Sequence, residues 1–212
     1  MKLSIQRGSY PACARTQHGV VLFFALISLV AIMLAAVALI RSVDTGTVIA
    51  GNLAFKQAAT TSGDAGTEAA MAWVAATETA NLDKPVLKDA TNPLNITDAT
   101  KGYYSNLDPA LDLFADATWN AITGVAATTD TSGNTVRYIV QRACRTANVA
   151  IQNAGCLFSG AALNSDGQEV QLPQDVCEGA GCPVAGQSPM IRVTSKVTGP
   201  RNTVSYVQAF VY

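Results

Sequence analysis

The chain has 212 residues, of which 49% are hydrophobic and 14% are charged, a composition typical of a folded domain and not of a disordered chain. Its formal net charge of −1 argues against a nucleic-acid-binding protein that works through bulk electrostatics. His18 is the only histidine, so loss of residues 1–19 would remove every His-dependent catalytic or metal site. We therefore expect no enzyme activity, no cofactor and no metal site.

Charge and hydropathy change sharply near the start of the chain. Residues 1–19 carry three basic and no acidic side chains, whereas the rest carries 11 basic and 15 acidic ones. An uncharged stretch of 21 residues follows, from Val20 to Ile40. At about 1.5 Å per residue a helix of this length spans roughly 30 Å, the thickness of a bilayer core. Because the basic residues precede it, we expect a cytoplasmic N-terminus, one pass through the inner membrane and a periplasmic body.

Three interpretations of this apolar segment remain open. A secretory signal would be cut near Ala36-Val37-Ala38, but the apolar run is longer than a usual signal core and continues beyond that point. A plain single-pass anchor would be kept uncut. In the third interpretation residues 1–19 form a cleaved basic leader that ends in Gly19, and the apolar helix is retained.

The sequence predicts that the apolar segment continues as one long helix. No proline occurs between Pro11 and Pro85, so residues 20–40 can continue through 41–80 without a break. Four glycines within this range are expected to weaken the helix. We expect its later part to pack on a sheet through one large anchor, Trp73, and a face of small residues, with Met71, Val74 and Ala76 nearby: Ala54, Ala58, Ala65, Ala69 and Ala72.

Residues 81–134 are predicted to be a polar connection with one short helix. That helix would follow Asp108-Pro109, with Asp108 as its cap and the proline at its first position. Its apolar residues would be Leu111, Leu113, Phe114 and Trp119.

Strands are predicted only in the last third of the chain. Alternating apolar residues mark 135–142, 190–197 and 203–212, and the last two ranges flank a turn at 198–202 and read as a hairpin. Residues 81–212 are therefore expected to form a periplasmic α+β head in which an antiparallel sheet packs one face on the long helix.

The cysteines indicate two disulfides. Cys13 lies in the expected leader, and the other four, an even number, lie in the expected periplasmic part. Three connectivities are possible. We favour Cys144–Cys156 and Cys177–Cys182, because both close short loops.

The start of the chain resembles a type IV prepilin, since a short basic leader ends in glycine and an apolar helix begins at once. The Ala50-Gly51-Asn52 and Glu68-Ala69-Ala70 segments are similar to those of the PilX-type minor pilins, as is the C-terminal hairpin with its terminal aromatic residue. The resemblance covers residues 17–72 and, more weakly, 135–212. It implies a pilin-like fold, in which a long N-terminal helix packs on a sheet.

The resemblance also implies processing and partners. Prepilin peptidase would cut between Gly19 and Val20, and the new N-terminus would be methylated. The protein would then pass from the inner membrane into the pilus filament or its tip, in contact with other minor pilins and the major pilin. A minor pilin that takes part in pilus assembly is the function so implied.

One residue departs from the family pattern. Most pilins have glutamate as the fifth mature residue, where it pairs with the N-terminal amine of a neighbouring subunit. Here that position is Phe24. A subunit without this carboxylate cannot satisfy an amine in front of it, but it can occupy the end of a fibre. Phe24 therefore favours a tip position, with simple tolerance of an apolar residue as the alternative.

Two other functions remain open at this point. The protein could be a tip-displayed adhesin or binding module that uses the region 81–185. It could also be the tip pseudopilin of type II secretion, which is similar in lacking the glutamate.

Overall fold

The computed structural model describes residues 19–123, 128–177 and 179–212. The chain divides into two compact units, one that ends at Asn52 and one that comprises Leu53–Tyr212. The first helix, α1 (Val20–Thr79), runs without a break through the 60 residues of its range. The expectation of one long helix from residue 20 to about 80 is therefore confirmed.

The first unit consists of the apolar part of α1. Every side chain from Val20 to Ala50 is exposed. Ser28, the polar residue of the apolar stretch, donates from its hydroxyl to the Ala25 carbonyl at 2.9 Å, so it carries no unmet donor. This stretch is long and apolar enough to cross a membrane, which is compatible with single-pass anchoring.

The second unit is a head with α+β architecture. After the end of α1 its elements are β1 (Tyr103–Tyr104), α2 (Asp116–Asn120), β2 (Thr128–Thr129), β3 (Thr135–Arg142), α3 (Ile151–Ala154), β4 (Ile191–Thr198) and β5 (Val204–Val211). The strand order in the sheet is β1-β3-β4-β5, and β2 also pairs with β3. The β1–β3 pair is parallel and the other three pairs are antiparallel.

The three long strands confirm the sequence prediction to within one residue at each end. In β3 and β4, Val140 lies opposite Val193, and in the β4–β5 hairpin Ser195 lies opposite Val207. The hairpin closes through the amide of Gly199, which donates to the Thr203 carbonyl at 2.7 Å. These strands could be predicted because each is eight residues long and has one face against the helix, so that apolar and polar side chains alternate along it.

Two predictions about the region before β3 are wrong. The two-residue strands β1 and β2 lie there, where no strand was expected, because so short a strand leaves no alternation in the sequence. The short helix begins later than predicted, at Asp116. Asp108 does not cap it, because its carboxylate accepts from the nearby Ala110 amide at 2.9 Å and forms a local turn instead.

The helix face that packs on the sheet also differs from the one predicted. The buried positions of α1 are Ser62, Gly63, Gly66, Ala70 and Val74. Ala65, Ala69 and Ala72 are exposed, and Trp73 is half-buried against Tyr103, with 5.4 Å between ring centroids. The prediction is therefore confirmed at Trp73 and Val74, which pack in the core, and wrong at the three exposed alanines. Glycine and serine, not alanine, allow the closest approach of helix to sheet.

The sheet is covered on its second face too. Trp119 from α2 is only 1% exposed and packs with Ile122 and Ile139. Its indole N–H donates to the Leu113 carbonyl at 2.8 Å. Tyr206 of β5 lies 6.0 Å from the Trp119 ring. The 111–122 segment thus supplies the second layer of the core.

Candidate functional site

The expected processing position lies at the start of α1. Gly19 precedes the helix directly, with nothing within 4 Å of where its Cβ would be, and Val20 is the first helical residue. Phe24 follows one turn later and is 65% exposed, with its ring 6.4 Å from that of Phe23. The leader before it, including Cys13 and His18, lies outside the described residues.

The start of α1 carries no negative charge. Its first turn has no acidic residue, and the first acidic residue along the helix is Asp44. Nothing in this part of the helix could therefore pair with a buried ammonium group. A carboxylate that neutralises a cation inside an apolar environment would have to be supplied by another chain.

The four remaining cysteines form the two favoured pairs. Cys144 is bonded to Cys156, and Cys177 is bonded to Cys182. The first bond ties the residues after β3 to those after α3, and the second closes a tight loop before β4. No cluster of His, Cys, Asp or Glu that could hold a metal ion was found in the described ranges.

A buried arginine organises the centre of the head. Arg142, at the end of β3, is 2% exposed. Its guanidinium donates to the Leu94 carbonyl at 3.0 Å, the Asn95 side-chain oxygen at 2.6 Å, the Ser105 carbonyl at 3.1 Å and the Val149 carbonyl at 3.2 Å. These acceptors come from three separate loops, so the arginine joins them to the sheet.

The aromatic neighbour of Arg142 shares this environment. The Tyr103 hydroxyl donates to the Leu94 carbonyl at 2.6 Å, so one carbonyl serves both side chains. Burial raises the pKa of Tyr103 to about 12, although the Arg142 charge acts against that rise. Burial also lowers the pKa of Arg142, but a guanidinium in a protein keeps its proton. The head therefore holds a permanent buried positive charge.

A second polar cluster fastens α1 to the turn between β2 and β3. The Ser62 hydroxyl donates to Asp130, and the Asn134 side-chain amide donates to Ser62 at 3.0 Å and to Asp130 at 2.9 Å. These hydrogen bonds, with the one from Ser62 the strongest, lower the pKa of Asp130 to about 2. The bond from this turn to the helix was not predicted from the sequence.

Sequence reasoning missed both polar clusters. Arg142 ends an alternating strand and reads as an ordinary edge residue, and Ser62 reads as one of many polar residues on a helix. The one available signal for Ser62 is its position beside Gly63 on the face that also contains Gly66. Small residues at helical spacing indicate that a helix packs closely on a neighbouring element. A hydroxyl buried in such a contact needs a hydrogen-bond partner.

No known protein family matches the chain, and neither a curated protein nor a solved structure is significantly similar to it. Inferences about its function therefore depend on its sequence pattern and its fold.

Proposed function

We propose that this protein is a minor pilin of the PilX type that takes part in type IV pilus assembly. The observation that carries the proposal is the single helix Val20–Thr79. It begins directly after the glycine that ends a basic segment, it is apolar and exposed at first, and its later part packs on a mixed sheet. A helix with these two halves suits a subunit that is held first in a membrane and then in a fibre core.

The proposed path of the protein follows from that helix. Prepilin peptidase cuts between Gly19 and Val20 on the cytoplasmic side of the inner membrane, and the new amine is methylated. The apolar part of α1 anchors the subunit in the membrane until it enters the filament, where it contacts other minor pilins and the major pilin. The two disulfides suit an oxidising periplasm.

A tip position, as part of a priming complex, is proposed on the basis of Phe24. The subunit offers no carboxylate to a neighbour's N-terminal amine, because the described start of α1 has no acidic residue before Asp44. Leaving a buried ammonium unpaired costs several kcal/mol, roughly the cost of breaking a buried ion pair. The end of the fibre avoids this cost, because no subunit precedes it there.

The test is the N-terminus and intact mass of the protein extracted from membranes, with and without prepilin peptidase. We expect a chain that begins at methylated Val20 only when the peptidase is present. Gly19→Glu should leave residues 1–19 attached. Gly46→Glu, the same substitution at a glycine within α1, should leave cleavage unchanged.

Other outcomes identify other functions. A chain that keeps residues 1–19 in every condition would be an anchored periplasmic protein, and a chain that begins after Ala38 would be a secreted one. If Gly19→Glu is cut normally, the prepilin interpretation is wrong. If deletion of the gene leaves pilus number unchanged but abolishes attachment, the protein acts as an adhesin and not in assembly.

A further inference from the structure

A cavity of about 420 Å³, open to solvent on one side, lies in the head. Helix α1 lines it with Met71 and Val74, and the residues that follow α1 line it with Val86, Leu87 and Leu94. The remaining wall comes mainly from apolar residues around the second disulfide loop: Leu172, Val176, Pro183, Val184, Pro189 and Ile191. Small-molecule sites have volumes of about 300–1,000 Å³ and predominantly apolar walls, so the size and lining of this cavity suit a ligand.

Arg142 forms part of the cavity wall. All four of its hydrogen bonds go to neutral oxygens, and both ion pairs in the described ranges lie elsewhere, at Lys101–Asp98 and Lys196–Asp116. A guanidinium has five N–H groups, so one of them has no acceptor among these partners. Glu78, the acidic residue of the lining, is exposed and makes no ion pair with Arg142. Within the part of the chain that the structure describes, the buried charge therefore has no counter-ion.

One side of the cavity is held in place by hydrogen bonds and a disulfide, and another side is open to solvent. The residues around the second disulfide loop are held by Lys88, which donates to the Gln174 carbonyl at 3.3 Å, and by the Cys177–Cys182 bond itself. Gly181 packs so closely on the Gln152 carbonyl that no Cβ would fit between them. Val176 and Tyr212 are 40% and 77% exposed, so they mark the side open to solvent. A ligand could enter there without unfolding the head.

We propose that this cavity binds a single-chain aliphatic carboxylate, with its tail among the apolar residues and its head group on Arg142. A buried cation without a counter-ion is costly, and an anion brought into the same low-dielectric space relieves that cost. The apolar wall selects an alkyl tail, and the guanidinium selects a carboxylate over a neutral head group. This inference does not depend on the proposed function, since it concerns the head alone.

The experiment uses the full chain in lipid nanodiscs and dodecanoate isotopically labelled at its carboxyl carbon, followed by NMR. We expect a separate carboxylate signal that saturates at one ligand per protein, in contrast to unsaturable partitioning into empty nanodiscs. Dodecanol, which has the same tail and no charge, should bind at least about tenfold more weakly. If Arg142 only joins the loops, the acid and the alcohol will bind equally or not at all, and the proposal is overturned.

A pair of variants tests the position of the ligand without disturbing Arg142. Leu172→Trp places a large ring in the cavity from its half-buried wall and should weaken dodecanoate binding at least about tenfold. Leu163→Trp makes the same change in the same segment at a residue that is 61% exposed and does not line the cavity. It should leave binding unchanged. If both variants bind dodecanoate as the parent does, the ligand is not in this cavity.

Discussion

Gly66 of α1 lies directly against Ser195 of β4. A Cβ built on Gly66 would be 2.8 Å from the Ser195 hydroxyl oxygen and 2.6 Å from a methyl carbon of Val136. Ser195 is fully buried and Val136 is 5% exposed, so neither can move aside freely. The glycine that was expected to weaken the helix is therefore a position at which the helix meets the sheet, and so is Gly63, which packs in the same way on Val207.

Gly66→Ala should destabilise the head although alanine is the better helix former. The gain in helix propensity is about 1 kcal/mol. Overpacking of a buried contact costs about 1–3 kcal/mol, so we expect a net loss of up to roughly 2 kcal/mol. Urea unfolding of the full chain in nanodiscs measures this, with the fluorescence of Trp73 and Trp119 as the signal, since both tryptophans lie in the head.

Asp64→Ala is the matched control for this substitution. Asp64 is exposed and lies two residues from Gly66 on the same helix. Its replacement by alanine also raises helix propensity. Its midpoint should stay the same or rise slightly. A Gly66→Ala variant as stable as the Asp64→Ala variant would contradict the close packing of helix on sheet.

The sequence predicted those parts of the fold in which side chains repeat with a readable period. Strands β3, β4 and β5 alternate over eight residues each, and the apolar residues of α1 run far beyond any strand length. The alanine positions of the helix face were predicted wrongly, because an apolar side chain is an unreliable mark of the closest contact. At Gly63 and Gly66 the contact is made by backbone, which leaves no hydrophobic signal.

The candidate sites divide in the same way. The disulfides could be predicted because the spacing of the cysteines favours short loops. Gly19, Val20 and Phe24 adjoin an abrupt change from basic to apolar sequence, and their roles stay predictions. The loops that meet at Arg142 are separated from it by up to 48 residues along the chain. No local pattern encodes such a meeting, so the buried charge and the cavity beside it emerged only from the folded structure.

Asp130 should make the stability of the head depend on acid pH. Its pKa is about 2 in the folded protein, against a usual value of 3.8, because Ser62 and Asn134 donate to the ionised carboxylate. A carboxyl with a depressed pKa stabilises the fold fully above its usual value, and that stabilisation is lost as the pH falls toward the folded value. The loss should therefore fall between about pH 4 and pH 2.

The measurement compares urea midpoints of the parent and Asp130→Asn across this range. The parent should be the more stable protein at neutral pH, and the difference should shrink as the pH falls to 2, because protonation then removes the charge from the parent too. Other carboxyls with lowered pKa values, such as Asp98, are present in both proteins and cancel in the difference. A parallel pH dependence of parent and Asp130→Asn would show that the Ser62–Asp130 bond does not stabilise the head.

Phe24→Glu should change where the subunit is found in the filament, if the proposed function holds. The substitution places a carboxylate one turn into α1, in a segment that otherwise has no negative charge before Asp44. That carboxylate could neutralise the N-terminal amine of a preceding subunit, so the cost that confines the parent to the tip would be removed. We expect the ratio of this protein to the major pilin in sheared pili to rise severalfold, as measured by quantitative mass spectrometry. Phe24→Gln, which has the same shape as Glu but no charge, should keep the ratio of the parent. If Phe24→Glu and Phe24→Gln give the same ratio, position 24 merely accepts an apolar residue and does not determine the place of the subunit.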